Sequence, residues 1–554
     1  MLLWTLLLTS SVPLHFLFNS VVFARIQAND YQVLPVTDNF FNGHNYDTSE
    51  FTAVDNSFNL SEAEVLRDKF KTLKTDNLTA HECLEAYNSQ YVSQHGDVLI
   101  FQNQIVWHSP ANYSPVWNDS SYYEWVKISW PLTTNLNYDD HLPYQSFADV
   151  FPANGWRCPS RSIQDCHITR TAEIPANGSW APYGSPVSHC LVEKVEEVCK
   201  LQFSLKIAII VIICNFVKVC CMFTVAFRYY NHYVVTVGDA ISYFLDEPEA
   251  ETKGRCIHER RDFRLEWEWK EIQLSQSPNK PRKYNPEKLR WYNAANGKRW
   301  IISYLSYWGS LVFAIIAIDK SLAGMPSNIK DLWATGFGQL QGNNLLHTRT
   351  SIMGGVLLAN APQVILSYLY VSFNALLTRM LVQRELACYK QSIKPLRVTF
   401  PTGQQRSTFW LQLPYRYAIP LNITSVLLHW LASQSLFMVS VTIISRDRKP
   451  DYKREISTCG YSPVAIIFTT CVGCIIMISG IVMAYRKFPG GMPLMSSSSA
   501  AISAACHPPE NDTGAAQLPV QWGVAKEGQG EDGVGHITFT SFDVTVPIPG
   551  KLYA

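Results

Sequence analysis

FSLKIAIIVIICNFVKVCCMFTVAF, residues 203–227, carries only two charges, Lys206 and Lys218. A bilayer core about 30 Å thick is crossed by about 20 apolar residues at helical rise, so this run reads as a transmembrane helix. The chain before it has the opposite character. Residues 25–200 hold five N-glycosylation sequons, at Asn59, Asn77, Asn112, Asn118 and Asn177. They also hold five cysteines, Cys83, Cys158, Cys166, Cys190 and Cys199. Sequons and cysteines together mark a lumenal or extracellular domain, and its side of the membrane orders every later loop.

Working outward, five more apolar runs have spanning length: 1–24, 300–318, 351–377, 419–445 and 463–484. The expected fold class is therefore an all-α polytopic membrane helix bundle of six transmembrane helices. A mixed α+β ectodomain is inserted between the first two. The domain reading is a span at 1–24, a glycosylated, disulfide-bearing ectodomain at 25–200 and a second span at 201–227. A cytoplasmic basic loop at 228–299 follows, then a four-helix region at 300–484 and a largely disordered cytoplasmic tail at 485–554. The first run, MLLWTLLLTSSVPLHFLFNSVVFA, has no Lys or Arg before its apolar stretch, which favours a span over a signal peptide. A signal peptide cleaved after Ala24 would leave residues 25–200 on the same side.

Charge tests the orientation. Residues 228–299 carry 14 Lys and Arg and residues 378–418 carry 7, against 3 in residues 319–350. With 25–200 outside, both basic loops fall in the cytoplasm, as the positive-inside rule expects. Residues 446–462 disagree, with Arg446, Arg448, Lys449, Lys453 and Arg454 on the outer side. That hairpin also brings a sixth outer cysteine, Cys459. Local bridges Cys158–Cys166 and Cys190–Cys199 are expected, leaving Cys83 to pair with Cys459.

In the ectodomain, Ser61 with Glu64 and Thr79 with Glu82 have the spacing of capping boxes. The second opens CLEAYNSQYVSQH, with Gly96 as its stop, and DVLIFQNQIVW (97–107) reads as a strand. In the loop at 228–299, TVGDAISYFL reads as a short helix and FRLEWEW (263–269) alternates like a strand. The basic, aromatic run at 280–299 reads as a juxtamembrane anchor, with anionic lipid as the possible partner. The tail is rich in Ser, Gly and Pro and reads as disordered to about residue 535, after which HITFTSFDVTVPIPGKLYA regains strand formers.

Chemistry is sparse. Net charge is +1 and nothing points to nucleic acid. No catalytic motif, metal-ligand pattern or cofactor loop is present, so neither an enzyme nor a cofactor is expected. Cys471 and Cys474 are spaced C-x-x-C within an apolar run, where small-residue helix packing is the better reading. The sequon at Asn422 lies in a span and that at Asn511 in the tail, and neither should be glycosylated. Polar residues inside spans are the main functional clue. The candidates are Lys218, Asn215, His429, Asn360 and Gln363, with His15, Asn374, Asn422 and Gln434. They read as hydrogen-bonded packing, or as the lining of a polar path.

SSVPLHFLFNSVVF (10–23), VIICNFVKVCCMF (211–223), VTVGDAISYFLDEPE (235–249), GFGQLQGNN (336–344), CGYSPVAI (459–466), SSAAISAACHPPE (498–510), LPVQWGV and GKLYA together resemble a family of fungal multi-pass membrane proteins of unknown function. The resemblance implies two further spans upstream and a true span at 1–24. It also implies order or recognition at the two tail motifs, and it brings no activity. The functional expectation is a cell-surface receptor, sensor or binding protein with an unidentified extracellular ligand, in the plasma membrane or another secretory-pathway membrane. A transporter or channel is the alternative, and a membrane-embedded enzyme comes last.

Overall fold

The computed structural model describes residues 2–36, 38–42, 60–87, 91–102, 132–133, 187–228, 234–263, 281–322, 329–340, 344–346, 351–409, 413–445, 448–496, 498–528 and 533–554. In chain order the elements are α1 (Leu2–Leu17), β1 (Val22–Asn29), β2 (Gln32–Val36), α2 (Leu60–Thr72), β3 (Thr75–Thr79), α3 (Ala80–Ala86), β4 (His95–Gln102), β5 (Leu132–Thr133), β6 (Val187–Lys194), β7 (Cys199–Phe203) and α4 (Leu205–Arg228). Then come α5 (Val237–Asp246), β8 (Arg282–Lys283), α6 (Gly297–Leu322), α7 (Ile329–Ala334), α8 (Ile352–Tyr389), β9 (Arg397–Val398), β10 (Arg406–Ser407), α9 (Tyr415–Ser435), β11 (Leu436–Ile444) and β12 (Pro450–Tyr461). The chain closes with α10 (Pro463–Ala484), α11 (Ser499–Ala504), β13 (Gln521–Lys526), β14 (His536–Thr540) and β15 (Leu552–Tyr553).

Five helices are long and apolar enough to cross a membrane: α1 with its short 3-10 extension to Ser20, α4, α6, α8 and α10. Six were expected, and a strand within the run 419–445 was not. The run 419–445 is two elements. α9 ends at Ser435 and the chain passes without a loop into β11, which is rich in β-branched residues and buried along most of its length. A strand covered on both faces is as apolar as a span, so composition hides the junction. Likewise the helix of the first run stops by Ser20, and residues 22–24 open β1.

β11 is the inner strand of a four-stranded sheet in the order β12-β11-β1-β7. Segments from residues 22–29, 199–203 and 436–461 are thereby woven together at one end of the helices. The described part of the β11–β12 hairpin thus lies beside the region of residues 25–200. The second sheet, β3-β6-β4-β2-β5, forms the core of the region expected as the ectodomain, with α2 and α3 against it. Thr79 and Glu82 form the predicted capping box of α3. The helix ends at Ala86, well short of Gly96, which lies in β4 and accepts through its carbonyl from the buried Tyr87 hydroxyl at 2.6 Å.

The disulfide joins Cys83 of α3 to Cys190 of β6. This corrects the expected pairing: Cys199 and Cys459 are free thiols, and neither Cys190–Cys199 nor Cys83–Cys459 exists. Strand pairing decides it, because β6 runs beside β3, which leads directly into α3. Cys158 and Cys166 lie outside the described residues, as do Asn59, Asn112, Asn118, Asn177 and all of FRLEWEW except Phe263.

At the other end of the helices α5, residues 250–263, the end of α8 and residues 492–553 share one core. Its largest fully buried side chains are Trp522, Phe539, Ile241 and Leu386, each at most 1% exposed. The described part of the tail is therefore ordered, against the compositional reading. Trp522 and Phe539 of the β13–β14 hairpin point into this core, whereas Phe542, Val546 and Ile548 stay exposed. Within GKLYA, Leu552 and Tyr553 pair with Lys283 and Arg282. Gly238, in the VTVGDAISYF motif, lies where a Cβ would collide with the Arg397 carbonyl oxygen. Thr236 and Asp239 cap α5 across that contact, and Asp239 also accepts from the Thr399 amide at 2.7 Å.

Candidate functional site

Helices α6, α8, α9 and α10 line a half-open cavity of about 280 Å³. It is long: on α9 its wall runs from Arg416 to His429, about 20 Å at helical rise. Small residues open it. Ala314, Ser425, Thr470 and Gly473 face the space, and Leu369, Phe373 and Met477 make its middle apolar. Tyr307 braces one side by donating to the Leu369 carbonyl at 3.0 Å. Pro420 lacks an amide to close its helical turn, and Thr424 donates back to the Pro420 carbonyl at 2.7 Å.

The sheet end of the cavity is polar. His429 Nδ1 lies 2.5 Å from Gln363 Oε1, and Gln363 Nε2 donates to the His429 carbonyl at 2.8 Å. Ser367 donates to the Gln363 carbonyl at 2.8 Å and meets His15 Nδ1 at 3.1 Å. The His15 and His429 rings stack with centroids 6.3 Å apart, and Lys218 on α4 is an electrostatic neighbour of His15. Asn360 donates to Ser20 Oγ at 2.6 Å and to the Val356 carbonyl at 2.8 Å. Asn360, Gln363 and His429 thus fall in the α1–α8–α9 packing, each with a partner. Asn215 faces outward on α4. Cys474 lines the cavity and Cys471 is exposed.

The module end is cationic. Tyr417 lines the cavity there, and its hydroxyl accepts from Arg384 at 3.3 Å and Arg486 at 3.4 Å. Both guanidinium groups also lie over Trp291, at 5.9 and 5.3 Å from the ring centroid. Trp291 stacks on Phe488 at 5.9 Å. Arg416 lines the cavity beside Tyr417. Among the described residues no carboxylate lies within 4.0 Å of Arg384, Arg416 or Arg486. Arg290 sits over Tyr485 at 5.3 Å, whereas Arg282 is spent on Asp262 at 2.7 Å. Of the predicted anionic-lipid run at 280–299, residues 290–291 therefore reach this cluster. The remaining members come from α8, α9 and the end of α10. Sequence reading counted their charges loop by loop and had no signal for their convergence.

In the region of residues 25–200, Asn77 is exposed on β3. Glu193, 3% exposed, holds Lys69 at 3.1 Å and meets the Arg448 guanidinium of the β11–β12 hairpin. Lys69 also reaches Asp97 at 2.5 Å. Gly96 keeps this network closed, since a Cβ there would collide with the Glu193 carboxylate.

These helices and this cavity define a candidate membrane protein with an elongated site between its helices. A family model described as a domain of unknown function (DUF8419) matches residues 268–527, which include every residue lining the cavity. No curated protein and no solved structure matches the chain.

Proposed function

We propose that the chain is an integral membrane receptor or sensor. It presents the glycosylated ectodomain and the β11–β12 hairpin outside and the C-terminal module in the cytoplasm, with α9 as a sixth span. The fungal multi-pass family belongs to the same reading.

One observation carries it. α8 is 38 residues long, about 57 Å, and is packed into three cores. Val356 and Ala359 pack with Met438 and Cys459 at the sheet, and Cys459 Sγ lies 3.4 Å from the Gly355 carbonyl. Phe373 to Leu381 pack with Trp291 and Leu413 in the middle. Leu386, Ala387 and Tyr389 lie in the core of the module. Close-packed cores transmit displacement rather than absorb it, so a shift of the sheet on this helix reaches the module. The transporter reading is weaker, because Gln363 and His429 spend their polar atoms on each other.

Hydrogen exchange on the intact protein in nanodiscs tests the coupling. Met438→Ala loosens the sheet against α8. It should raise exchange several-fold at 386–398 as well as near 352–360. Changes confined to the sheet and the first turns of α8 would refute coupling.

A further inference from the structure

We propose that the cavity between α6, α8, α9 and α10 holds one acyl chain of an anionic phospholipid, its phosphate held at the module end by Arg384, Arg416 and Arg486. This goes beyond the receptor reading and needs only that these helices sit in a bilayer.

Three observations converge. The first is shape. The space is about 20 Å long on α9, yet its volume, about 280 Å³, is at the lower limit of small-molecule pockets. A long, half-open space of this volume suits one extended chain. The second is chemistry. Leu369, Phe373 and Met477 form its middle, and its polar sheet end is closed by a pair that already satisfies itself, His429 with Gln363. An alkyl chain asks for no hydrogen bond along that wall.

The third is charge complementarity. At the module end two guanidinium groups, of Arg384 and Arg486, meet the Tyr417 hydroxyl, and Arg416 lines the cavity beside it. Trp291 lies under the first two, and among the described residues no carboxylate is within 4.0 Å of the three. Guanidinium groups match phosphate through paired N–H donors, and a tryptophan beneath them suits the headgroup level of a bilayer. Like charges gathered without an acid repel one another, and an anion relieves that repulsion. A lipid supplies both halves in one molecule.

The test uses the full chain, delipidated and returned to mixed micelles holding equal amounts of phosphatidylserine and phosphatidylcholine, with retained lipid counted by native mass spectrometry. Wild type should keep one lipid per chain, enriched on the order of tenfold in phosphatidylserine. Gly473 lines the cavity, and nothing lies within 4 Å of a Cβ built on it, so Gly473→Phe and Gly473→Leu fill the space without a backbone clash. Both variants should lose the lipid while keeping the wild-type elution volume. Arg384→Gln with Arg416→Gln and Arg486→Gln should keep a lipid and lose the preference for phosphatidylserine. Retention of the same lipid by both Gly473 variants, or a wild-type protein indifferent to headgroup, would overturn the proposal.

Discussion

Arg448, at the turn of the β11–β12 hairpin, sets its guanidinium on the buried carboxylate of Glu193 in β6 and adopts φ +60° to do so. A non-glycine residue in the left-handed region costs about 1 kcal/mol or more, so the contact is held against backbone strain. The pairing also gives one basic residue of the hairpin a partner: Arg448 neutralises the buried Glu193.

Removing either partner should be costly, and unequally so. Glu193→Ala strands Arg448 and takes a partner from Lys69 and the Asp97 amide, and should cost about 3–5 kcal/mol. Arg448→Ala leaves Lys69 on Glu193 and removes a half-exposed group, so about 1–2 kcal/mol is expected. Arg448→Gly should be about 1 kcal/mol less harmful than Arg448→Ala, because glycine adopts φ +60° without strain. Denaturant unfolding followed on the ectodomain measures all three.

The Cys83–Cys190 bridge closes a sequence separation of 107 residues. Its loss should destabilise the ectodomain by about 2–5 kcal/mol. Non-reducing peptide mapping should recover these two cysteines in one linked pair. Cys459, 1% exposed and with a thiol pushed up to about 11 by burial, should react with alkylating reagents only after unfolding.

Gly238→Ala reverses the usual helix rule. Alanine outranks glycine inside a helix by about 1 kcal/mol. Here its methyl would meet the Arg397 carbonyl oxygen, and the capped α5 could not stay against residues 397–399. The variant should unfold the module at lower temperature, while Gly514→Ala, at an open position, should cost only its left-handed backbone. Differential scanning fluorimetry separates them.

His507 gives the module an acid-sensitive element. Burial, with His536 and Lys253 nearby, pushes its pKa down to about 4 from an ordinary 6.5. The unfolded chain thus takes up a proton that the folded module refuses. The stability from the neutral ring, which meets Thr252 Oγ1 at 3.0 Å, is complete above about pH 6.5 and drains away as pH falls toward 4. Melting temperature should drop across that window, and His507→Asn should flatten the drop.

Much of this was legible from periodicity and run length. Four of the apolar runs became the long helices α4, α6, α8 and α10, and the Thr79 capping box sits where its spacing put it. What escaped reading depends on contacts between distant segments. The α9–β11 junction has no Pro or Gly at residues 435–436 to announce it. Cys190 pairs across a sheet, not with its neighbour in sequence. The tail's Gly and Ser outnumber Trp522 and Phe539, yet those two buried side chains anchor it. Arg384, Arg416 and Arg486 come from three separate helices or helix ends, and only the fold makes them one cluster.

Sidedness underlies the receptor reading, and two native sequons report it without any substitution. Asn77 is exposed on β3 of the ectodomain, and Asn511 is exposed in the C-terminal module at the far end of the helices. Glycopeptide mass spectrometry of the protein from a eukaryotic host should find a glycan on Asn77 and an unmodified Asn511. A glycan on Asn511 would place the module on the same side as the ectodomain and contradict the account.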